Sequence, residues 1–585
     1  MYILAYKEGH DPAACLLKDG KIIAAAEEER FNRQKHAPGI LPRQAISYCL
    51  KFANITASDI DYLVYARLKP YQTLFQVLKY YLSRPPHNKI EFKFFISHLK
   101  TQLIGTWQEI CSKNNYQKIH FHFPELPTKI YSFDHHLCHA ASAYYFSNFD
   151  SALILTMDGK GEATSVMAAQ GQDNKIKILE RRGIFDSFGL FYSAITKHLG
   201  FTPNDGEYKV MGLAPYGQPN ISFKDILKAH KKTGYSVNSH YSLYPLSLKN
   251  LPNKLGPART RESELKDHHK NIAASAQAAL EESTLNLLKH LLKKYPHSNL
   301  CLAGGVALNV KMNKKFWESG LIKNLYIQPA AGDNGLVLGA AALLYTRLTQ
   351  QRVQCLENLY LGPQFENSAI ENALQKSKIQ YSFITDKNKL IQETVNLLKS
   401  DLVVGWYQGR MEFGPRALGN RSILANPQNK TMRAQVNAKI KFREDFRPFC
   451  PSILEEFAPS YFKNYTPAPY MILSFVTLSP EIDNKISAVV HVDGTVRPQT
   501  VNSEINPLYY ELLQEFNHQT GIPALLNTSM NIRGEPIVCS PQDLIEFFLK
   551  TEVDAIVAGN FVALKKNQNP AILKTQTREE LKTKY

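Results

Sequence analysis

At 585 residues the chain exceeds what one hydrophobic core organises, so two domains are expected. Its 44% hydrophobic and 21% charged content is that of a globular protein. The formal net charge of +17 comes from dispersed basic residues, which leaves a cationic surface, nucleic-acid binding and a site for anionic substrates all open. No cationic segment leads into an apolar one at the start, so no signal peptide is expected. The longest apolar run, around residues 335–345, is too short for a bilayer. A cytoplasmic protein without a membrane partner is the default. Eight scattered cysteines without a CxxC pair argue against a disulfide framework and a thiolate zinc site.

In chain order, YILAY, AACLLKDGKIIAAAEEER and IDYLVYA read as strands, with a hairpin turn at Asp19-Gly20. Residues 72–115 read as helical and aromatic-rich. The stretch SFDHHLCHAASAYYFSNFDSALILTMDGKGEAT places three of the 18 histidines within five residues. His135 and His139 are four apart, so on a helix they share a face, as in helical His pairs that clasp a metal. Asp158 ends the following strand, and Asp333 stands in AAGDNGL. Two His and two Asp suit Fe(II), Mn(II) or Zn(II) with open positions for substrate. Hydrogen-bonded structural histidines are the alternative.

VMAAQGQDNKIKILERR reads as a hairpin, and residues 271–295 as one long amphipathic helix. NLCLAGGVALN reads as strand, glycine turn and helix, LYIQP as a strand, and GDNGLVLGAAALLY as a turn and helix. Three glycine turns, MDGKGE, LAGGVALN and AGDNGLVLG, join GHDPAA after the first strand. Together they are similar to the phosphate and adenosine loops of the actin–hexokinase superfamily, while Walker A and early GxGxxG sequences are missing. The texture changes near residue 360. FENSAIENALQKSK and DKNKLIQETVNLLKSD then read as helices flanking a strand, IQYSFI, within a smaller α/β unit. Residues 566–585 read as a polar tail.

Seven motifs in order carry a resemblance: GHDPAACLLKDGKIIAAAEEERFNRQKHAPG, DHHLCHAASA, DGEYKVMGLAPYG, LAGGVALNVKMN, GRMEFGPRALGNRSILANP, REDFRPFCPSIL and NTSMNIRGEPIV. They resemble the O-carbamoyltransferases of the NodU/CmcH family, over residues 3 to about 560. The resemblance implies an α/β protein. Residues 1–360 would form a duplicated actin/hexokinase-like (ASKHA) domain with a metal site that transfers the carbamoyl group. Residues 361–585 would form a YrdC-like α/β domain that makes carbamoyl-adenylate and pyrophosphate from carbamoyl phosphate and ATP, with Mg. An acceptor hydroxyl, on a small molecule or glycan, then takes the carbamoyl group and AMP leaves.

By the same resemblance His135, His139, Asp158 and Asp333 hold Fe(II), with Mn or Zn left open. Gly304, Gly305 and Asn309 line a nucleotide pocket. His10 in GHDPAA is the candidate general base for the acceptor hydroxyl. In the second domain the polyanionic substrates need fixed cations. Arg416, Lys441, Arg447 and Arg497 are assigned to them with Ser529, and Asn527 as a weaker member; Arg421 is also on offer. Surface charges or ion pairs with Glu412 and Glu444 are the alternative for these cations. The lead-in AYKEGHD departs from the Gly-Ile/Leu-Asn run usual in the family, which touches the acceptor side. Residues 72–115 and 218–268 carry no readable motif and are expected to shape the acceptor pocket. A tRNA-directed threonylcarbamoyl-type transferase and a non-catalytic nucleotide-binding scaffold are the competing functions, although nucleic acid is not the expected partner. The oligomeric state is left open, a homodimer included.

Overall fold

The computed structural model describes residues 1–111, 113 and 116–573. The chain divides into unit 1, Met1–Ala25 with Pro38–Leu356, and unit 2, Ala26–Ala37 with Glu357–Tyr585. Unit 1 contains two five-stranded sheets. β1 (Tyr2–Lys7), β2 (Ala13–Lys18), β3 (Lys21–Glu27), β4 (Tyr62–Tyr65) and β5 (Ile130–Ser132) form the first, in the order β3-β2-β1-β4-β5. β6 (Ser151–Gly161), β7 (Thr164–Gln172) and β8 (Lys175–Gly183) open the second. A separate hairpin, β9 (Leu227–His230) and β10 (Gly234–Val237), precedes β11 (Asn299–Ala303) and β12 (Asn324–Ile327), which complete the order β12-β11-β6-β7-β8.

The two sheets repeat one topology. In each, a three-strand meander is extended beyond its first strand by two parallel strands, β4 and β5 beside β1, and β11 and β12 beside β6. Unit 1 is therefore a duplicated α/β fold of the actin–hexokinase kind. The correspondence extends to the helices: His135–Tyr144 follows β5, and Leu336–Thr349 follows β12. These two helices pack directly against each other. Gly339 makes the approach feasible, since a Cβ there would lie 1.8 Å from the Cys138 carbonyl oxygen. The central strands β1, β6 and β11 are largely buried runs, as expected of sheets covered by helices. The long helix read over 271–295 spans Asp267–Lys294.

In unit 2, β13 (Ser382–Phe383), β14 (Val404–Tyr407), β15 (Arg421–Ala425) and β16 (Cys450–Leu454) come first. After a short pair, β17 (Phe475–Val476) and β18 (Thr495–Val496), come β19 (Gln499–Val501), β20 (Ala524–Ser529), β21 (Ala555–Ala558) and β22 (Phe561–Leu564). One mixed eight-stranded sheet results, in the order β13-β22-β21-β14-β15-β20-β16-β19. The strand expected at IQYSFI shrinks to β13, an edge strand with both side chains exposed and no face to bury. The expected polar tail is described as far as Leu573; residues 574–585 lie outside the described residues. Among the described residues no helix is long and apolar enough to cross a membrane.

Candidate active site

Asp134 starts the helix that carries the histidines. Its Oδ1 accepts the Leu137 N–H at 2.9 Å, which caps the first turn. His135 and His139 then leave the same helix face. His136 turns elsewhere: its Nδ1 lies 2.7 Å from Thr156 Oγ1 and its Nε2 3.1 Å from the Thr164 carbonyl, a satisfied core histidine. Asp158 sits where β6 loses regular pairing with β7, between Met157 and Gly161. Asp333 sits in the turn just ahead of helix Leu336–Thr349.

These four side chains converge. His139 Nε2 is 3.1 Å from Asp158 Oδ2 and 3.9 Å from Asp333 Oδ1; His135 Nε2 is 3.6 Å from Asp333 Oδ1 and 3.9 Å from Asp158 Oδ2. One ligand atom from each lies within 4.8 Å of the others. Metal bonds of about 2.0–2.2 Å place neighbouring ligand atoms about 3–4 Å apart, so the spacing suits one divalent ion. Both nitrogens of His135 and Nδ1 of His139 are buried without a hydrogen-bond partner. Leaving them so is costly unless something else satisfies them. Burial works against charge on Asp158, yet the two imidazoles hold its carboxyl well below the usual carboxylate range. Burial likewise opposes ionisation of Asp333, but Lys7 and His135 keep its carboxyl low.

Lys7 was not among the residues singled out from the sequence. It ends β1, is fully buried, and its Nζ lies 3.0 Å from Asp333 Oδ2. The same ammonium donates to the His10 carbonyl. The His10 imidazole is only partly covered, and its Nδ1 is 2.8 Å from Asp11 Oδ2. Lys7 thus ties the loop of the candidate base to the carboxylate cluster. The only signal for it was the unusual lead-in AYKEGHD.

The glycine turn after β11 faces the same carboxylate. Gly305 N–H donates to Asp158 Oδ2 at 2.9 Å, and Gly304 has φ +91 with no room for a Cβ, which would lie 2.2 Å from the Met157 carbonyl oxygen. Asn309 is held differently. Its Oδ1 caps helix Val310–Glu318 through Met312 N–H, and its amide exchanges hydrogen bonds with Gln277 at 3.0 Å each way. Gly304 and Gly305 therefore lie beside the acidic cluster, while the Asn309 side chain is engaged in capping and in Gln277.

In unit 2 the structure brings Lys441 and Ser529 together. Lys441 is buried, and its Nζ donates to the Ser529 carbonyl, to Ser529 Oγ at 3.3 Å, and to Asn531 O and Oδ1 at 3.1 and 2.7 Å. Burial first, then Arg443, Arg447 and Lys35, push its ammonium well below the usual lysine range. Arg447 is thus an electrostatic neighbour, with Nη1 3.7 Å from Glu444 Oε2. Arg443, Lys35 and Asn531 joined this cluster without having been singled out. Arg497 directs Nε and Nη2 onto Cys450 Sγ at 3.0 and 2.9 Å. Cys450 is the β16 partner of Asn527 on β20. Asn527 itself is buried, and its Nδ2 donates to the Ala417 carbonyl, Ser452 Oγ and Gln499 Oε1. It fastens the Arg416 loop to the sheet.

One expectation is corrected here. Arg421 is fully buried; its guanidinium donates to the carbonyls of Gln408, Pro363, Gly409 and Asn420 and lies 3.8 Å from the Tyr407 ring centroid. Both terminal nitrogens are spent on backbone carbonyls, so it offers no fork to phosphate. Glu412 Oε1 accepts the backbone N–H groups of Leu418, Asn420 and Arg421, so this oxygen shapes the loop.

Comparison with known proteins follows the same division. Residues 3–342 match the family model "Carbamoyltransferase N-terminus", and residues 395–565 match "Carbamoyltransferase C-terminus". An uncharacterized protein of Synechocystis sp. is 39% identical, over 96% of this chain and 96% of its own. Nodulation protein NolNO of Sinorhizobium fredii is 37% identical, over 96% of this chain and 80% of its own. Full-length HypF in its phosphate- and nucleotide-bound form aligns at a TM-score of 0.35 and 11% identity, over 60% of this chain and 56% of its own.

Proposed function

The chain belongs to the carbamoyltransferase family, and from that premise we propose that it is an ATP-dependent O-carbamoyltransferase working in two steps. In the first, carbamoyl phosphate, one water and ATP become carbamoyl-adenylate, phosphate and pyrophosphate. In the second, the oxygen of an acceptor alcohol attacks the carbamoyl carbon. The bond from that carbon to the adenylate oxygen breaks, AMP leaves, and the alcohol proton passes to a base. The acceptor belongs to the small molecules and glycans of biosynthesis.

We assign the first step to unit 2. Both substrates are polyanions, and bringing them together needs fixed positive charge. Arg447, Arg416 and Arg497 supply it as planar forks, and Lys441, whose ammonium is disfavoured by burial and neighbouring cations, becomes a point charge once an anion sits beside it. Ser529 Oγ accepts from Lys441 and donates to Asn531 Oδ1 at 2.8 Å, a bond its hydroxyl exchanges for one to a phosphate or carbamoyl oxygen when substrate binds.

The second step belongs to unit 1. His135, His139, Asp158 and Asp333 would hold a divalent metal, Fe(II) by resemblance, with Mn(II) and Zn(II) chemically admissible. When bound, it supplies positive charge for the adenylate phosphate and polarisation of the carbamoyl carbonyl. His10, with Nδ1 2.8 Å from Asp11 Oδ2, is assigned as the base that takes the acceptor proton. Lys7 positions that loop. The Gly304-Gly305 turn, packed against Asp158, is assigned to the nucleotide.

The observation that carries this reading is the convergence of two imidazoles and two carboxylates, with three imidazole nitrogens otherwise unsatisfied. The test uses purified protein with ATP and carbamoyl phosphate, and no acceptor. Pyrophosphate release is expected, together with its loss in Lys441→Met. A folded, metal-supplied protein that releases none overturns the reading.

A further inference from the structure

The segment between β4 and β5 shows an unusual surface. Helices Pro70–Ser83 and Lys89–Ile110 pack against each other. One face of each turns to a core of Val77, Tyr81, Phe185 and Leu190, where Phe94 and Phe95 also pack. The opposite faces are apolar as well. Tyr71, Phe75, Leu78 and Leu82 repeat at helical spacing on the first helix, with Phe75 71% and Leu82 85% exposed. Phe92, Ile96, Leu103, Trp107 and Ile110 do the same on the second, with Trp107 67% and Ile110 73% exposed. Ordinary surfaces scatter such residues singly; stripes of them mark a binding face.

Charge identifies the occupant. On helix geometry Lys89, Lys93 and Lys100 lie along one flank of the second stripe, and Lys79 lies beside the first. All four are exposed and have no acidic partner among the described residues. The acids of the pair are turned inward. Glu91 is taken by Arg84, Ser239 and the His87 N–H, and Glu109 by Tyr116 and the Tyr71 N–H. What the pair presents is therefore apolar and cationic. A second copy fits poorly, because a two-fold contact sets the same patch against itself and lysine against lysine. An anionic lipid surface fits both features: aromatic and aliphatic side chains enter the acyl boundary while lysines reach the headgroups.

We propose that this helical pair docks the protein on the surface of an anionic bilayer. The docking is peripheral, and it replaces the expectation that this segment shapes the acceptor pocket and that no membrane partner exists. It does not depend on the carbamoyl-transfer reading.

The test is co-sedimentation of the full-length protein with phosphatidylcholine vesicles and with equimolar phosphatidylcholine–phosphatidylglycerol vesicles, at low and high salt. Binding is expected only to the anionic vesicles and is weakened by salt. Lys93→Glu with Lys100→Glu, and separately Phe75→Ser with Trp107→Ser, should each weaken it at least about tenfold. These side chains are exposed, and circular dichroism and thermal melting check that the variants stay folded. No binding of the unaltered protein to anionic vesicles overturns the proposal, as does binding that both variants retain. A dimer in sedimentation velocity that Phe75→Ser with Trp107→Ser dissolves, without vesicle binding, assigns the face to a second copy instead.

Discussion

Lys7 shows how much of the site rests on a single side chain. A fully buried ammonium is tolerated because Asp333 lies 3.0 Å away and the His10 carbonyl accepts from it. Removing one partner of such a pair costs about 3–5 kcal/mol, since the other charge stays buried without compensation. Lys7→Met preserves length and removes the charge. It should lower stability by about 3 kcal/mol in chelator-treated protein, and by clearly less once Mn(II) or Fe(II) is supplied, because a bound cation would compensate Asp333. Denaturant titrations with and without metal check this, and an equal deficit in both would reduce Lys7 to a packing role. Lys7 was hidden in the sequence because its partner lies far along the chain, whereas the spacing of His135 and His139 states their shared face directly. Arg421 is the converse case. It sits in a motif rich in cations, and a sequence displays charge but not the direction a side chain takes. In the fold it faces backbone carbonyls and an aromatic ring.

At the scale of elements, the duplication decides where the chemistry sits. The ends of the equivalent strands β1 and β6 deliver Lys7 and Asp158, and the equivalent helices after β5 and β12 deliver the histidines and stand just behind Asp333. Those helices approach closely at Gly339 and Cys138. Gly339→Ala places a methyl where the Cys138 carbonyl oxygen already is. The helices must separate, at about 1–3 kcal/mol or more, and the imidazoles move relative to Asp333. A lower melting temperature together with loss of bound metal is expected, and an unchanged melting temperature would mean that the two helices give way freely. The strand–turn–helix pattern of this region was legible, since buried runs ending at glycines leave few alternatives. The duplication was not legible from residues alone: the two sheets share hydrogen-bonding order, and no repeated sequence reports it. The assignment of Ala26–Ala37 to unit 2 was hidden for a similar reason. It depends on long-range packing, and the local pattern there continues a strand into a short helix.

At the scale of the whole molecule, acid should act mainly through unit 1. Three of its histidines, His136 and His198 buried and His98 half-buried, are held neutral. Burial, aided by neighbouring cations, lowers His98 to about 4; burial and the flanking His135 and His139 lower His136 to about 3; burial, with His269 and His268, lowers His198 to about 4. A histidine whose pKa falls on folding contributes stability above its unfolded value, near 6.5, and loses it as pH drops toward the folded value. Each such group removes about 1.4 kcal/mol per pH unit once the unfolded chain is protonated and the folded chain is not. The chain already carries +17, so every added proton also raises self-repulsion. His198 isolates the effect, because its Nε2 is buried with no hydrogen-bond partner and lies outside the metal cluster. Stability should therefore fall steeply between about pH 6.5 and pH 4.5, and His198→Gln should make that fall shallower by about 1.4 kcal/mol per pH unit. Denaturant titrations across this range measure both slopes, and parallel curves for the two proteins would show that His198 protonates as readily in the folded chain as in the unfolded one.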